Sequence, residues 1–275
     1  MEDSSNSFVN RDGIRLRERC WVPVARPRAV VALLHGLAEH TGRYEQHAKH
    51  FTDLNIAVES YDQLGHGMSG GRRAYISAYE TLVRDARDFI DRVVDRYPGT
   101  PVFLLGHSLG GAVAALASVD CPHEIRGLIM SSPAIALMEP PWLQKTALML
   151  SHLIPRLPVK PLDQTLLATD GRVALAFKDD ALTFCKALSI GTAAEIIRIG
   201  QAALHSAPRI SHPLLLVHGR EDRITSPQAS GEFFRSAASQ DKSVSLFKDM
   251  YHETFNEPGG QRVLALMSDF VLEHV

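Results

Sequence analysis

Cysteine is scarce in this sequence, and its spacing argues against several kinds of site. The 275 residues contain three cysteines, Cys20, Cys121 and Cys185, and no two of them form a C-x-x-C pair. Such paired cysteines are the usual sign of a structural zinc site, so no zinc site is predicted. A small, odd number of cysteines is typical of a reducing compartment.

Long apolar runs and an excess of positive charge are also missing. The longest apolar-rich stretch, 142–154, contains Gln144, Lys145, Ser151 and His152. It is shorter than the ~20 residues that a membrane-spanning helix needs. The first six residues are acidic and polar, unlike the start of a secretory signal. With a net charge of −2 and scattered basic residues, no nucleic-acid partner is expected. We therefore expect a cytoplasmic protein that at most docks reversibly on membranes.

Short apolar runs alternate with amphipathic segments along most of the chain. Five runs predict strands buried on both faces, at 30–34, 56–58, 102–105, 128–130 and 214–217. Apolar residues at three- and four-residue spacing predict a helix over 79–97, and further helices are predicted at 109–119 and 261–272. This alternation is typical of the α/β class, in which helices cover both faces of a mostly parallel sheet.

The stretch 134–190 interrupts this alternation. It contains five prolines and helical patches but no clear strand. We interpret it as a helical cap inserted into a core formed by 1–133 and 191–275. Within the cap, the apolar residues of 142–154 can share one helix face, which would either dock on lipid or roof the pocket.

The segment Gly106-His107-Ser108-Leu109-Gly110 matches G-x-S-x-G. It follows a predicted strand and opens a predicted helix, the setting of a nucleophile elbow. The sharp turn leaves no room for a Cβ at either glycine. Ser108 is therefore predicted to be a nucleophile; the alternative is a serine that caps a helix.

A serine nucleophile needs a base and a carboxylate that orients the base. In proteins with a nucleophile elbow, the carboxylate and then the histidine follow the serine along the chain. Asp222 lies just past a predicted strand, although Glu221 and Asp249 are also candidates. Among 13 histidines, His252 is the strongest candidate for the base because it follows the last strand, 244–247.

Backbone N–H groups are predicted to complete the site. The residue after the nucleophile, Leu109, supplies one of the two donors of an oxyanion hole. A turn at His35-Gly36-Leu37, after the first core strand, can aim another N–H at the carbonyl under attack. For the His35 side chain itself we expect a buried structural role.

Taken together, these segments resemble the monoacylglycerol lipase-like hydrolases of the α/β-hydrolase fold. The similar blocks are H-G-x-x-E-H-x-x-R-Y at 35–44, D-x-x-G-H-G-x-S at 62–69, the nucleophile region at 97–111, and the acid and base segments at 218–222 and 251–253. The resemblance runs from about residue 28 to 272, nearly the whole chain.

The resemblance implies a triad of Ser108, Asp222 and His252, with the N–H groups of Leu37 and Leu109 as oxyanion donors. It implies hydrolysis of monoacylglycerols to fatty acid and glycerol through an acyl-enzyme, without metal or cofactor. Glu39 and Arg43 match positions that receive the glycerol part of the substrate in this family. The alternative for this pair is a local ion pair at the start of a helix.

The cap departs from the family pattern. Phe177-Lys178 replaces a frequent Tyr-Asn pair, Asp180-Ala181-Leu182 replaces Asp-Pro-Leu, and Phe255 replaces a histidine of animal members. These changes weaken the expectation of a strict preference for glycerol. A lysophospholipase or a broad carboxylesterase is therefore the alternative enzyme, and an inactive binding protein of the same fold is a more distant one. The sequence leaves the oligomeric state open.

Overall fold

One eight-stranded sheet runs through the molecule. The computed structural model describes residues 6–119 and 125–275, so Cys121 lies outside the described residues. The strands are β1 (Ser7–Val9), β2 (Arg15–Trp21), β3 (Ala29–Leu34), β4 (Ile56–Tyr61), β5 (Val102–His107), β6 (Gly127–Ser131), β7 (Leu214–Gly219) and β8 (Lys242–Phe247). Their order is β1-β2-β4-β3-β5-β6-β7-β8; β1 and β2 are antiparallel to their neighbours and the other pairs are parallel.

Helices cover both faces of this sheet. They are α1 (Glu45–Asp53), α2 (Tyr79–Arg96), α3 (Leu109–Val119), α4 (Pro141–Leu150), α5 (Gly171–Asp179), α6 (Ile190–Ser206), α7 (Pro227–Ser236) and α8 (Gln261–Glu273). Apolar side chains of α1 and α8 pack in one buried cluster, and those of α2, α3, α6 and α7 pack in another. The two clusters explain why β3 to β7 are buried throughout. The predicted α/β class and mostly parallel sheet are confirmed.

The register of the central strands sets the location of the site. Leu34 pairs with Gly106 and His107 pairs with Ser131, so the carboxyl ends of β3, β5 and β6 lie at one edge of the sheet. Loops that follow parallel strands at this edge are where such sheets bind ligands.

The segment 134–190 carries α4, α5 and a short 3₁₀ turn, Gln164–Leu166. Leu167 and Phe177 from this segment pack in a small buried cluster with Ala38, which follows β3. The segment therefore lies over the carboxyl ends of the strands. Its assignment as a separate cap remains a prediction.

Candidate active site

Ser108 lies in the tight turn between β5 and α3. Its φ of 52° falls in the left-handed region, which residues with a Cβ rarely adopt. A Cβ on Gly106 would lie 2.2 Å from the carbonyl oxygen of Gly110, and one on Gly110 would lie 2.1 Å from that of Leu34. The turn is as crowded as the sequence predicts, because α3 begins directly against the end of β3.

Asp222 and His252 meet at the same edge of the sheet. The Nδ1 of His252 lies 2.7 Å from the Oδ2 of Asp222, and both side chains are buried. Asp222 follows β7, and its other oxygen accepts hydrogen bonds from the backbone N–H groups of Ile224 and Thr225. The neighbouring carboxylates Glu221 and Asp249 are exposed. Of the three candidate acids, Asp222 is therefore the one that contacts His252.

The charge state of this pair follows from its contacts. Burial disfavours the charge on Asp222, but His252 and His218 outweigh it and hold the pKa of Asp222 well below its ordinary value. Burial likewise opposes charge on His252, yet the adjacent Asp222 raises the pKa of His252 above its ordinary value. A histidine that accepts a proton becomes a charged imidazolium, and the adjacent Asp222 stabilises this form of His252. The arrangement therefore suits His252 to act as a base.

A cavity of about 380 Å³ connects these groups beneath α4 and α5. Ser108 and His252 both line it, together with Gly36, Leu37 and Leu109. A Cβ on Gly36 would lie 3.2 Å from the Cβ of Ser108, so the peptide between Gly36 and Leu37 lies beside the serine. Both predicted oxyanion donors therefore belong to residues that border the same space as the predicted nucleophile.

Most of the remaining cavity wall is apolar. Side chains of the cap segment and of α6 form it, among them Leu143, Ala147, Val159, Leu162, Leu188 and Ile197. An apolar space that ends at a serine and a histidine can hold a hydrocarbon chain with its ester group at the reacting end.

Glu39 and Arg43 form part of a buried ion cluster. The guanidinium of Arg43 donates to Glu39 at 2.6 Å and to Glu253 at 2.7 and 2.9 Å. Glu39 also accepts from the N–H of Gly36 at 2.5 Å and from the hydroxyl of Tyr44 at 2.8 Å. Glu39 and Glu253 line the cavity. The ion pair considered from the sequence is present, and Glu39 in addition faces the space where substrate would bind.

Sequence reasoning missed several groups that contact Asp222, the predicted acid of the triad. The Nε2 of His218 lies 2.9 Å from Asp222, while its Nδ1 contacts the hydroxyl of Ser230 on α7. The hydroxyl of Thr225 donates to Asp222 at 2.8 Å. A polar residue at the carboxyl end of a buried apolar strand, as His218 is at the end of β7, is the signal that could have identified it.

His107 is a further buried neighbour. Its ring centroid lies 4.9 Å from that of His252. Burial, reinforced by His252, lowers the pKa of His107 to about 4, so this ring is neutral at pH 7 and leaves the proton to His252.

Neither a metal cluster nor a membrane span is found in the described part of the chain. Within residues 6–119 and 125–275, His, Cys, Asp and Glu form no group of three or more that could hold a metal ion. In the same ranges, no helix has the length and apolar character needed to cross a bilayer.

Comparison with known proteins identifies the family. The family model described as "Serine aminopeptidase, S33" matches residues 25–259. A monoacylglycerol lipase of Mycolicibacterium smegmatis is 33% identical, with 99% of this chain and 98% of that protein covered. Human monoglyceride lipase is 32% identical, with 91% and 84% covered.

Solved structures agree with these relatives. The Paleococcus ferrophilus monoacylglycerol lipase superposes with a TM-score of 0.83 at 30% identity, covering 94% of this chain and 99% of that one. A soluble variant of the Saccharomyces cerevisiae monoglyceride lipase, at 24% identity, shares the fold with a TM-score of 0.89 over 100% and 96% of the two chains. The chain therefore belongs to the monoacylglycerol lipase-like serine hydrolases of the α/β-hydrolase fold and is a carboxylic ester hydrolase.

Proposed function

We propose that this enzyme hydrolyses monoacylglycerols to a fatty acid and glycerol, with Ser108 as its nucleophile. The observation that carries the proposal is the cavity, which combines a serine and a histidine at one end with long apolar walls. A monoacylglycerol has the matching form, since its single acyl chain ends in an ester beside a small polar alcohol. The relatives named for this activity, matched over nearly the whole chain, support the same substrate.

Each group has a distinct role in the reaction. His252 removes the proton of Ser108 as its Oγ attacks the ester carbonyl, and Asp222 stabilises the resulting imidazolium. The N–H groups of Leu37 and Leu109 bind the oxyanion of the tetrahedral intermediate. His252 then protonates the leaving glycerol oxygen, which leaves an acyl-enzyme. Water, activated by the same histidine, releases the fatty acid and restores Ser108.

Replacement of Ser108 tests the proposed function. Ser108→Ala should abolish hydrolysis of monoolein and of a nitrophenyl ester and should prevent labelling by a fluorophosphonate, because no other group supplies the attacking oxygen. Ser132→Ala is the matched control, since Ser132 is also buried and also has a left-handed φ, of 43°. Activity above a few percent in Ser108→Ala would show that the nucleophile is wrongly assigned, and a wild type that does not label would indicate a binding protein.

A lysophospholipase is the second candidate, and two cationic side chains favour it. Lys160 and Arg223 line the cavity, where they could contact the phosphate of a lysophospholipid. Glu139 and Asp163 line it too, however, so these two cationic side chains share the wall with carboxylates that would repel a phosphate. Turnover of monoolein, lysophosphatidylcholine, nitrophenyl esters and an aminoacyl nitroanilide should be compared; the proposal requires the highest kcat/KM on monoolein.

We further propose that the cap contacts lipid surfaces reversibly. Apolar side chains in and just after α4 point to solvent: Trp142 is 68% exposed, Met149 64% and Leu153 77%. By contrast, Ser151, expected on the polar face, is buried and contacts Arg198 of α6. The segment thus turns a polar group inward and apolar groups outward, the reverse of an ordinary surface helix. An outward apolar face above the cavity suits a substrate that resides in lipid.

A further inference from the structure

The two ring nitrogens of His35, directly after β3, have partners that determine its tautomer. Its Nε2 lies 2.9 Å from the backbone N–H of Gln63, a group that can only donate. Its Nδ1 lies 2.7 Å from the carbonyl oxygen of Gly36, which can only accept. A neutral ring with its proton on Nδ1 satisfies both contacts. The ring is fully buried, and burial lowers the pKa of His35, which favours this neutral form.

The carbonyl that His35 holds belongs to the same peptide unit as the Leu37 N–H. A peptide unit is planar, and in its trans form the C=O and the following N–H point in opposite directions. Fixing the Gly36 oxygen therefore fixes the direction of the Leu37 N–H. Gly36, which begins this peptide, lies close to Ser108, since a Cβ on Gly36 would lie 3.2 Å from the Cβ of Ser108.

Neighbouring groups hold His35 and Gly36 on their other sides. The side-chain amide of Gln63 donates to the carbonyl oxygen of His35 at 2.6 Å. The N–H of Gly36 donates to Glu39 at 2.5 Å. Gln63 belongs to the D-x-x-G-H-G-x-S loop at 62–69, for which the sequence predicts no function. Through Gln63 and His35, this loop contacts the turn after β3.

We propose that the neutral side chain of His35, held by Gln63, is a positioning residue that orients the Leu37 N–H toward the oxyanion. The inference rests on the proposed function, because it assumes that Leu37 supplies an oxyanion donor. His35 contacts no reacting atom; it acts through the Gly36 peptide. Its removal should therefore weaken binding of the transition state and leave binding of the ground-state ester nearly unchanged.

A pair of matched variants separates this role from simple packing. His35→Asn keeps an amide near the position of Nδ1, where it can still donate to Gly36. His35→Gln keeps an amide near the position of Nε2, where it can accept from Gln63, but loses the donor to Gly36. Both variants remove the same buried ring, so they should lose similar amounts of stability. His212→Asn and His212→Gln are controls, because His212 is a buried histidine that contacts the carbonyl of Ser118 instead.

The variants should be measured on a soluble nitrophenyl ester and with a trifluoromethyl ketone. Ser108 adds to that ketone while His252 takes the proton, and the adduct carries an oxyanion. We expect His35→Gln to lose about 10²-fold in kcat, the lower range for loss of one oxyanion donor, with KM nearly unchanged. Ketone affinity should fall in parallel, and His35→Asn should recover most of both losses.

Several outcomes would overturn the proposal. Equal kcat in the two His35 variants, a smaller loss in His35→Gln than in His35→Asn, or a change confined to KM would each do so. If neither variant folds, ¹⁵N chemical shifts of the wild-type ring decide the question, because a proton on Nε2 contradicts it. A wild type without Ser108-dependent esterase activity would instead refute the proposed function itself.

Discussion

At the scale of single residues, the carboxylate of Asp222 is tightly enclosed by hydrogen-bond donors. It accepts from two imidazoles, the hydroxyl of Thr225 and two backbone N–H groups. Such a set fixes the orientation of the carboxylate, and through it the orientation of the His252 ring.

Replacing Asp222 should therefore cost far more than replacing its neighbour. Asp222→Asn presents an amide to Nδ1 of His252 and favours the wrong tautomer, a change that costs about 10⁴-fold in kcat in serine proteases. Glu221→Gln is the matched control, because Glu221 is adjacent but exposed. A larger loss of kcat/KM from Glu221→Gln would reverse the assignment of the acid.

The pH profile gives a second readout of the same pair. His252 must be neutral to act as a base, so kcat/KM should rise with pH through the pKa of His252. Although burial opposes charge on His252, Asp222 raises the pKa of His252, so the rise in kcat/KM should lie at a higher pH than an ordinary histidine would give. In Asp222→Asn the stabilising negative charge is gone, so the pKa of His252 should fall. The residual kcat/KM should therefore begin to rise at a lower pH than it does in the wild type.

Glu39 is predicted to contribute to the preference of the enzyme for esters of glycerol over esters of other alcohols. If it accepts a hydrogen bond from glycerol, Glu39→Gln should lower kcat/KM for monoolein about tenfold more than for a nitrophenyl ester, since a hydrogen bond to a charged group contributes about 1.5 kcal/mol. Glu195→Gln is the control: Glu195 is a buried partner of Arg198 that does not line the cavity. Equal losses on both substrates would leave Glu39, with its partner Arg43, as a structural residue.

At the scale of elements, the junction of α3 with the end of β3 has no spare volume. A Cβ on Gly110 would lie 2.1 Å from the carbonyl oxygen of Leu34, whereas a Cβ on Gly171, at the start of α5, would meet nothing within 4 Å. Gly110→Ala should lower the free energy of unfolding by about 1–3 kcal/mol. Gly171→Ala should change the free energy of unfolding by less than ~0.5 kcal/mol. Urea unfolding of the two variants measures the difference, and equal stabilities would contradict the close packing described here.

The exposed apolar face of α4 and the residues after it should bind vesicles. Trp142→Ser/Leu153→Ser should reduce flotation with phosphatidylcholine vesicles and leave turnover of a soluble ester unchanged. Leu143 is left in place because it also lines the cavity. Val22→Ser/Val24→Ser is the control, since these exposed residues follow β2 at the opposite edge of the sheet. No flotation of the wild type, or equal flotation of the two double variants, would exclude lipid docking by the cap.

For the molecule as a whole, the sequence predicts the central sheet well. Each of β3 to β7 contains an apolar run because both of its faces are covered, and such runs are recognisable without any structure. The two antiparallel strands, β1 and β2, were not predicted. Strand β2, which lies between β1 and β4, carries several charges, among them Glu18, whose buried carboxylate pairs with Arg92 and Arg96 of α2. A strand whose inward charges are neutralised by a distant helix has no simple sequence pattern.

The sequence predicts which segments of the chain form the candidate site, but it does not predict which side chains contact each other there. The order of serine, acid and histidine locates Ser108, Asp222 and His252 in sequence, but two adjacent carboxylates are equivalent until the loop geometry separates them. Likewise, the length of α4 depends on tertiary contacts: the apolar pattern continues to 154, yet the helix ends at Leu150 and Ser151 turns toward Arg198. Contacts between residues this far apart along the chain cannot be inferred from local patterns.

The sheet order also has a consequence for biosynthesis. Ser108 follows β5, whereas His252 arrives only after β8, the last strand to join the edge of the sheet. At 5–20 residues per second, on the order of ten seconds separate the emergence of these two residues from the ribosome. A nascent chain that already has the Ser108 turn still lacks His252, its proposed base, and a serine without a base is a weak nucleophile. If Ser108 and His252 act together as proposed, hydrolysis begins only after the segment that carries His252 has been made.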